Sequence, residues 1–273
     1  MNNLTKRILF GLIYVATIVF SSILGPIYFY SLFFIFLIIC LYEFLRIIEL
    51  KSLYPYILAV AFYSTAILSN QNIIAIEDKM SHKLMVSVMA FLLFFTMISA
   101  LISSRKIAIQ YLGRIFLTLI YLVIPFTLLI KLPYFTMDKS FDSTIILGVF
   151  ILIWSNDIFA FIIGKNFGKT KLIERVSPNK TVEGFLGGFI FTFIAGYFIS
   201  IYCDSVYAIQ WFSIAIIVSV FGVLGDLIES MFKRQAGIKD SSSLIPGHGG
   251  FLDRLDSVIF AVPFIYIYLF LTT

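Results

Sequence analysis

Four aspartates stand where an apolar sequence tolerates them least. Asp157 lies in Trp154-Ser155-Asn156-Asp157, inside a long hydrophobic run, and Asp226 closes another in Gly225-Asp226-Leu227-Ile228-Glu229-Ser230. Asp253 and Asp256 open a third, in Asp253-Arg254-Leu255-Asp256. An ionised side chain in a membrane-spanning helix is costly and as a rule faces a cavity, a partner or a substrate path. The i,i+3 spacing of Asp253 and Asp256 sets both on one helical face. Capping accounts for part of that pair, since a helix N-terminus favours a carboxylate by about 0.3–1 kcal/mol. It does not account for Asp226, which is expected at a helix C-terminus, where the dipole opposes it. Three acids meeting at one membrane edge repel unless a cation lies between them. Hard ions such as Mg²⁺ take oxygen ligands, typically one or two carboxylates plus water and phosphate oxygens. Asp226, Asp253 and Asp256 are therefore the expected metal ligands, and Mg²⁺ the expected cofactor.

Beside these acids runs a basic, glycine-rich segment: Lys233-Arg234, Lys239-Asp240, Ser241-Ser242-Ser243, then Pro246-Gly247-His248-Gly249-Gly250. Glycines let backbone N–H groups approach phosphates, and Lys and Arg neutralise their charge. The combination suits a nucleoside triphosphate or pyrophosphate. A loop that merely touched anionic headgroups would have no use for Gly-His-Gly-Gly leading directly into the acids. Lys233, Arg234, Lys239 and Arg254 are assigned to phosphates. His248 has no second His or Cys at metal-ligand spacing, which argues against zinc; contact with phosphate, proton transfer and loop shaping all stay open for it. A second polar segment reads Ser177-Pro178-Asn179-Lys180-Thr181-Val182-Glu183-Gly184. Ser177 or Thr181 can cap the helix that follows, and Glu183 suits its first turn, while Lys180 beside hydroxyls suits a phosphate. Gly164-Lys165-Asn166-Phe167-Gly168-Lys169-Thr170 looks like a P-loop but is not one. Its glycines are separated by three residues where four are needed, and an apolar helix precedes it instead of a strand.

The elements that must position these residues follow from composition. Of 273 residues, 60% are apolar and 13% charged, against about 25% charged in soluble domains. So little polar material cannot cover a soluble fold of this size, and it also excludes disorder and a disulfide scaffold. A spanning helix needs about 20 mostly apolar residues. Nine stretches qualify: Ile8–Leu24, Ile27–Leu45, Leu53–Ser69, Leu84–Ile102, Ile107–Ile130, Thr144–Ile163, Phe185–Ile201, Ala208–Leu227 and Leu255–Leu271. Gly25-Pro26 forces a hairpin between the first two. The opening run is too long for a signal peptide and lacks a clear cleavage site, so it is read as a span.

With the N-terminus in the cytoplasm, only Lys79, Lys83, Lys131 and Lys139 of the 20 Lys and Arg fall outside. That bias supports the orientation, and the membrane accounts for the net charge of +5 without a nucleic-acid partner. Cys40 and Cys203 read as unpaired small apolar residues. The expectation is an all-α, polytopic integral membrane protein with about nine transmembrane helices. It forms one domain over residues 1–273, with 1–140 mainly scaffold. Residues 141–273 form the catalytic half, whose cytoplasmic loops are 164–184 and 228–254.

The 27 residues from Ser230-Met231-Phe232-Lys233-Arg234 through Lys239-Asp240 to His248-Gly249-Gly250-Phe251-Leu252-Asp253-Arg254-Leu255-Asp256 resemble, without a gap, the signature of the CDP-diglyceride synthase (phosphatidate cytidylyltransferase) family. Asn156-Asp157, Ala160-Phe161, Gly164, Gly168-Lys169 and the Ser177–Gly184 segment are also similar to it, although Phe161 stands where Tyr is common. The resemblance implies a Mg²⁺-dependent reaction in which CTP and phosphatidate give CDP-diacylglycerol and pyrophosphate, in phospholipid biosynthesis. It also implies K⁺ as a possible second cation, a homodimer, a multi-pass protein of the bacterial cytoplasmic membrane and an active site facing the cytoplasm. Onto this chain it carries Asp226, Asp253 and Asp256 as metal ligands; the reading of the basic, glycine-rich segment adds Lys239 and His248 to them as catalytic residues. Asp157, Ser177, Lys180, Thr181, Glu183, Ser230, Lys233, Arg234, Asp240, Gly249, Gly250 and Arg254 are placed at the substrates.

That chemistry agrees with the residues. The lipid phosphate must attack the α-phosphorus of CTP, so two anions approach each other, and a metal with Lys and Arg lowers their repulsion. No strong base is needed, because a phosphate monoester is already largely ionised near neutral pH, its second pKa being about 6. A CTP-dependent kinase of lipid alcohols would use similar groups, but the complete signature argues against it. A secondary transporter of an anionic substrate would place its ionisable residues near the midplane and tend to show related halves; neither is evident.

Overall fold

The computed structural model describes residues 3–70, 94, 95, 98, 108–136, 140–244 and 249–272. Eight helices occupy them: α1 (Asn3–Ile23), α2 (Pro26–Ile47), α3 (Tyr54–Asn70), α4 (Ile109–Tyr134), α5 (Ser143–Phe167), α6 (Val182–Tyr202), α7 (Ala208–Gln235) and α8 (Leu252–Thr272). Six of these, α2 and α4 to α8, are long and apolar enough to cross a membrane. Each expected span except the fourth coincides with a helix; Leu84–Ile102 lies outside the described residues but for Phe94, Phe95 and Ile98. The protein is an all-α polytopic membrane protein.

Local chemistry sets the ends of the elements that matter. Gly25, at φ +112°, makes the tight turn that lets Pro26 open α2; only glycine adopts that conformation without strain. Asp142 caps α5 by accepting from Thr144 N at 2.8 Å, and Thr181 caps α6 by accepting from Gly184 N at 3.1 Å. Both satisfy N–H groups that a helix start otherwise leaves orphaned. α7 closes in a Schellman motif about Gly237: Ile238 N donates to Lys233 O and Gly237 N to Arg234 O.

Two differences from the expected boundaries bear on the site. α7 runs on to Gln235, two turns past Leu227, so Asp226 lies within a helix and not at its C-terminal end. Ser230, Lys233 and Arg234 are consequently helical, and the segment expected as a loop from 228 begins only after Gln235. The segment 164–184 is also more ordered than a loop. α5 continues to Phe167, and an antiparallel hairpin of β1 (Lys171–Ile173) and β2 (Ser177–Thr181) leads into α6. Apolar content marks where a helix is in lipid, and both differences arise where a helix continues into polar surroundings.

α4 and α7 each contain a π-helical turn, Leu119–Val123 and Val218–Gly222. In α4 the wider turn makes room for Pro125, whose ring would otherwise meet the carbonyl four residues back. In α7 it directly precedes the turn carrying Asp226. The core is aromatic and aliphatic, with Phe29, Phe33, Phe44, Phe150 and Trp211 all buried. α5 and α6 pack closely through glycine: a Cβ on Gly184 would lie 2.7 Å from Ala160 O. Such close approach through small residues is the usual route to tight helix pairs in lipid. Cys40 and Cys203 are both free.

Candidate active site

A cavity of about 830 Å³ opens between α1, α5, the β-hairpin, α6 and the near ends of α7 and α8. Its polar part carries Asp157, Lys165, Ser177, Asn179, Lys180, Thr181, Asp226, Asp253, Arg254 and Asp256. Phe10, Val15, Ile158, Phe161 and Phe185 form an apolar wall, of which Ile158 and Phe161 are largely exposed. The volume falls in the range of small-molecule sites, roughly 300–1,000 Å³, and the division between charge and hydrocarbon suits an amphipathic ligand.

The acids divide into two groups. Asp157, Asp226 and Asp256 approach closely enough to repel one another. Asp226 pairs with Lys180, Oδ2 to Nζ at 2.6 Å, and its Oδ1 accepts from Ser230 Oγ at 3.2 Å. Asp256 is buried and accepts from Ser257 N at 2.7 Å. Asp253 reaches the cavity edge but is held from the other side. It accepts from Lys233 Nζ at 2.5 Å, Gly250 N at 2.7 Å and Ser241 N at 3.1 Å. Lys233 also pairs with Glu229 one turn back.

Among the described residues, no group of three or more His, Cys, Asp or Glu converges tightly enough to hold a metal by itself. The donors do suit Mg²⁺ in the manner that ion prefers, with one or two carboxylates supplemented by phosphate and water. Asp226 and Asp256 are hard oxygen donors on one cavity, and their mutual repulsion is what a cation relieves.

The cations are redistributed relative to the sequence expectation. Lys180 and Arg254 line the cavity, as does Lys165, which was not among the candidates. Lys233 is buried between Glu229 and Asp253, and Arg234 donates to Ile238 O at 3.0 Å, closing the end of α7. Lys239 and Asp240 are exposed and lie outside the cavity lining. Ser177 and Thr181 line the cavity. Glu183 instead accepts from the backbone N–H of Lys169 and Thr170 at 3.0 and 3.1 Å, clasping the hairpin to α6. Gly249, at φ +83°, and Gly250 form the approach to α8; His248 lies outside the described residues.

Two polar contributors come from the N-terminal half. Tyr14 of α1 lines the cavity, and its hydroxyl donates to Arg254 O at 3.2 Å. Glu43 of α2, wholly buried, accepts from Ser242 Oγ, Phe251 N and Leu252 N in the segment leading into α8, and Ser241 Oγ, shared with Asp253, lies 3.1 Å from it. Its signal was readable, because a carboxylate in the apolar run Cys40-Leu41-Tyr42-Glu43-Phe44-Leu45 is a functional candidate by the same rule that singled out Asp157.

The sequence model of the cytidylyltransferase family matches residues 5–272. The chain is 33% identical over 271 residues to the phosphatidate cytidylyltransferase of Bacillus subtilis, an alignment covering 97% of each. It is 44% identical over 157 residues to that of Haemophilus influenzae, 54% of each chain. With that of Staphylococcus saprophyticus it shares 46% over 138 residues, 50% of this chain and 53% of the other. The match extends from α1 to α8 and so takes in every element that borders the cavity: the chain belongs to the cytidylyltransferase family.

Proposed function

We propose that this protein is a phosphatidate cytidylyltransferase, converting CTP and phosphatidate into CDP-diacylglycerol and pyrophosphate. One observation carries the reading beyond the family relationship. One cavity joins Lys180, Arg254 and a set of mutually repelling carboxylates to an apolar wall in which Ile158 and Phe161 are largely exposed. A soluble triphosphate needs the first part and an acylated phosphate needs the second.

A phosphatidate oxygen attacks the α-phosphorus of CTP, the bond from that phosphorus to the β-phosphate oxygen breaks, and pyrophosphate leaves. Lys180 and Arg254 neutralise the converging phosphates and hold them in line. No residue has to remove a proton from the nucleophile, which is already ionised near neutral pH. Asp226 and Asp256 would hold Mg²⁺, which when bound would supply charge neutralisation to the reacting phosphates. The excess of Lys and Arg in segments on one side of the spans supports a cytoplasmic mouth for the cavity. The inner membrane of a bacterium is the corresponding location.

Incubation of the purified protein with phosphatidate, Mg²⁺ and CTP labelled in its cytidine tests the reading. Label is expected in the lipid product, with pyrophosphate released. Transfer of the γ-phosphate with cytidine left in CDP would instead identify a lipid kinase. Lys180→Met is expected to raise the KM for CTP about 10- to 100-fold, the worth of one hydrogen bond between charged groups. An unchanged KM would remove Lys180 from the phosphate site.

A further inference from the structure

The first turn of α8 carries Asp253, Arg254 and Asp256, yet residues distant in sequence hold its leading N–H groups. Glu43 Oε2 accepts from Leu252 N at 2.8 Å, and Oε1 from Phe251 N at 3.1 Å. Ser242 Oγ donates to Oε1 at 2.5 Å, and Ser241 Oγ lies 3.1 Å from Oε2. A helix start leaves such N–H groups orphaned, and a local Ser, Thr, Asp or Asn normally satisfies them. Here a carboxylate from α2 does so, on the end of the helix where the dipole favours negative charge. The seat excludes anything larger at its rim: a Cβ on Gly250 would lie 2.0 Å from Ser241 Oγ and 2.5 Å from Glu43 Oε1.

We propose that Glu43 is a positioning residue for cytidylyl transfer: as a cap supplied from α2, it fixes the first turn of α8 so that Arg254 and Asp256 face the cavity. Glu43 does not itself line the cavity, so its effect passes through the backbone of Phe251 and Leu252. The proposal rests on the reading of that cavity as the cytidylyl-transfer site. Glutamine cannot replace the carboxylate. It offers one acceptor oxygen where two are used, and turns an NH₂ donor toward another N–H. Aspartate is shorter by one methylene.

Glu43→Gln in the full-length protein is the test, read by turnover and by amide hydrogen exchange. Turnover is expected to fall at least about tenfold, with faster exchange in residues 249–256 and exchange in α5 and α6 within about twofold of the parent. Turnover within about twofold of the parent, or exchange rising equally across all helices, would overturn the proposal; the latter is what a purely structural role produces. If Glu43→Gln does not accumulate in folded form, Ser242→Ala decides, since it removes one donor and leaves both backbone contacts. A smaller loss of turnover with faster exchange confined to 249–256 supports the cap, and no change in either overturns it. A parent protein inactive on CTP and phosphatidate would sink the catalytic reading, and the exchange pattern would still judge whether Glu43 holds α8.

Discussion

Asp256→Asn is expected to lower formation of CDP-diacylglycerol roughly 10²–10³-fold, the usual loss when a preorganised electrostatic contact to the reacting groups is removed, while the protein stays at least as stable as the parent. The two halves of that expectation have one cause. Asp256 is buried beside Asp157 and Asp226, and the three acids repel one another. Neutralising one relieves the repulsion in the resting protein, and Asn keeps an oxygen for Ser257 N, 2.7 Å from the present carboxylate. The same charge is what would hold a cation against two phosphates, so catalysis loses what folding does not need. Labelled-CTP turnover and a thermal unfolding curve on the same preparation check it. Activity within about tenfold of the parent would take Asp256 out of the mechanism, since known contacts of this kind cost more.

Lys233→Met reverses that pattern. Its ammonium lies between Asp253, at 2.5 Å, and Glu229, all three side chains being largely buried. Taking away the cation leaves two carboxylates without their charge partner in a region of low dielectric. Breaking a buried pair from one side in this way costs about 3–5 kcal/mol. A pronounced fall in unfolding temperature is therefore expected, with activity lost in step with the folded fraction. The phosphate-ligand role read from sequence predicts the opposite: intact stability and a raised KM for CTP. Measuring both on one variant separates a residue that builds the site from one that binds its substrate.

The contrast between Lys233 and Lys180 shows how far linear pattern reaches. Both are lysines beside hydroxyls and acids in polar segments of the catalytic half, and nothing in their neighbours ranks one above the other. Lys233 lies on a helical turn that the apolar run did not announce, because α7 extends two turns beyond Leu227. Its position four residues after Glu229 then turns it inward. Lys180 lies on β2, whose pairing with β1 brings it over Asp226. Glu43 illustrates the complementary case. Its presence in an apolar span was visible, and its partners, 198 to 209 residues away, were not.

By itself the sequence determined that the chain is an all-α protein that crosses a membrane several times, and that acids and cations gather where α7 and α8 approach each other. These are consequences of solvent: lipid demands long apolar helices and leaves ionised groups only where a ligand, a partner or water receives them. The tertiary structure alone decided which charges face the cavity and which are spent on one another. Asp256, Lys180 and Arg254 face it, Asp253 borders it while paired with Lys233, and Lys233 and Glu43 hold the frame. That choice depends on helix rotation and on contacts between elements far apart in the chain, and a charged side chain's partner is set by which surface packing brings within about 3 Å of it.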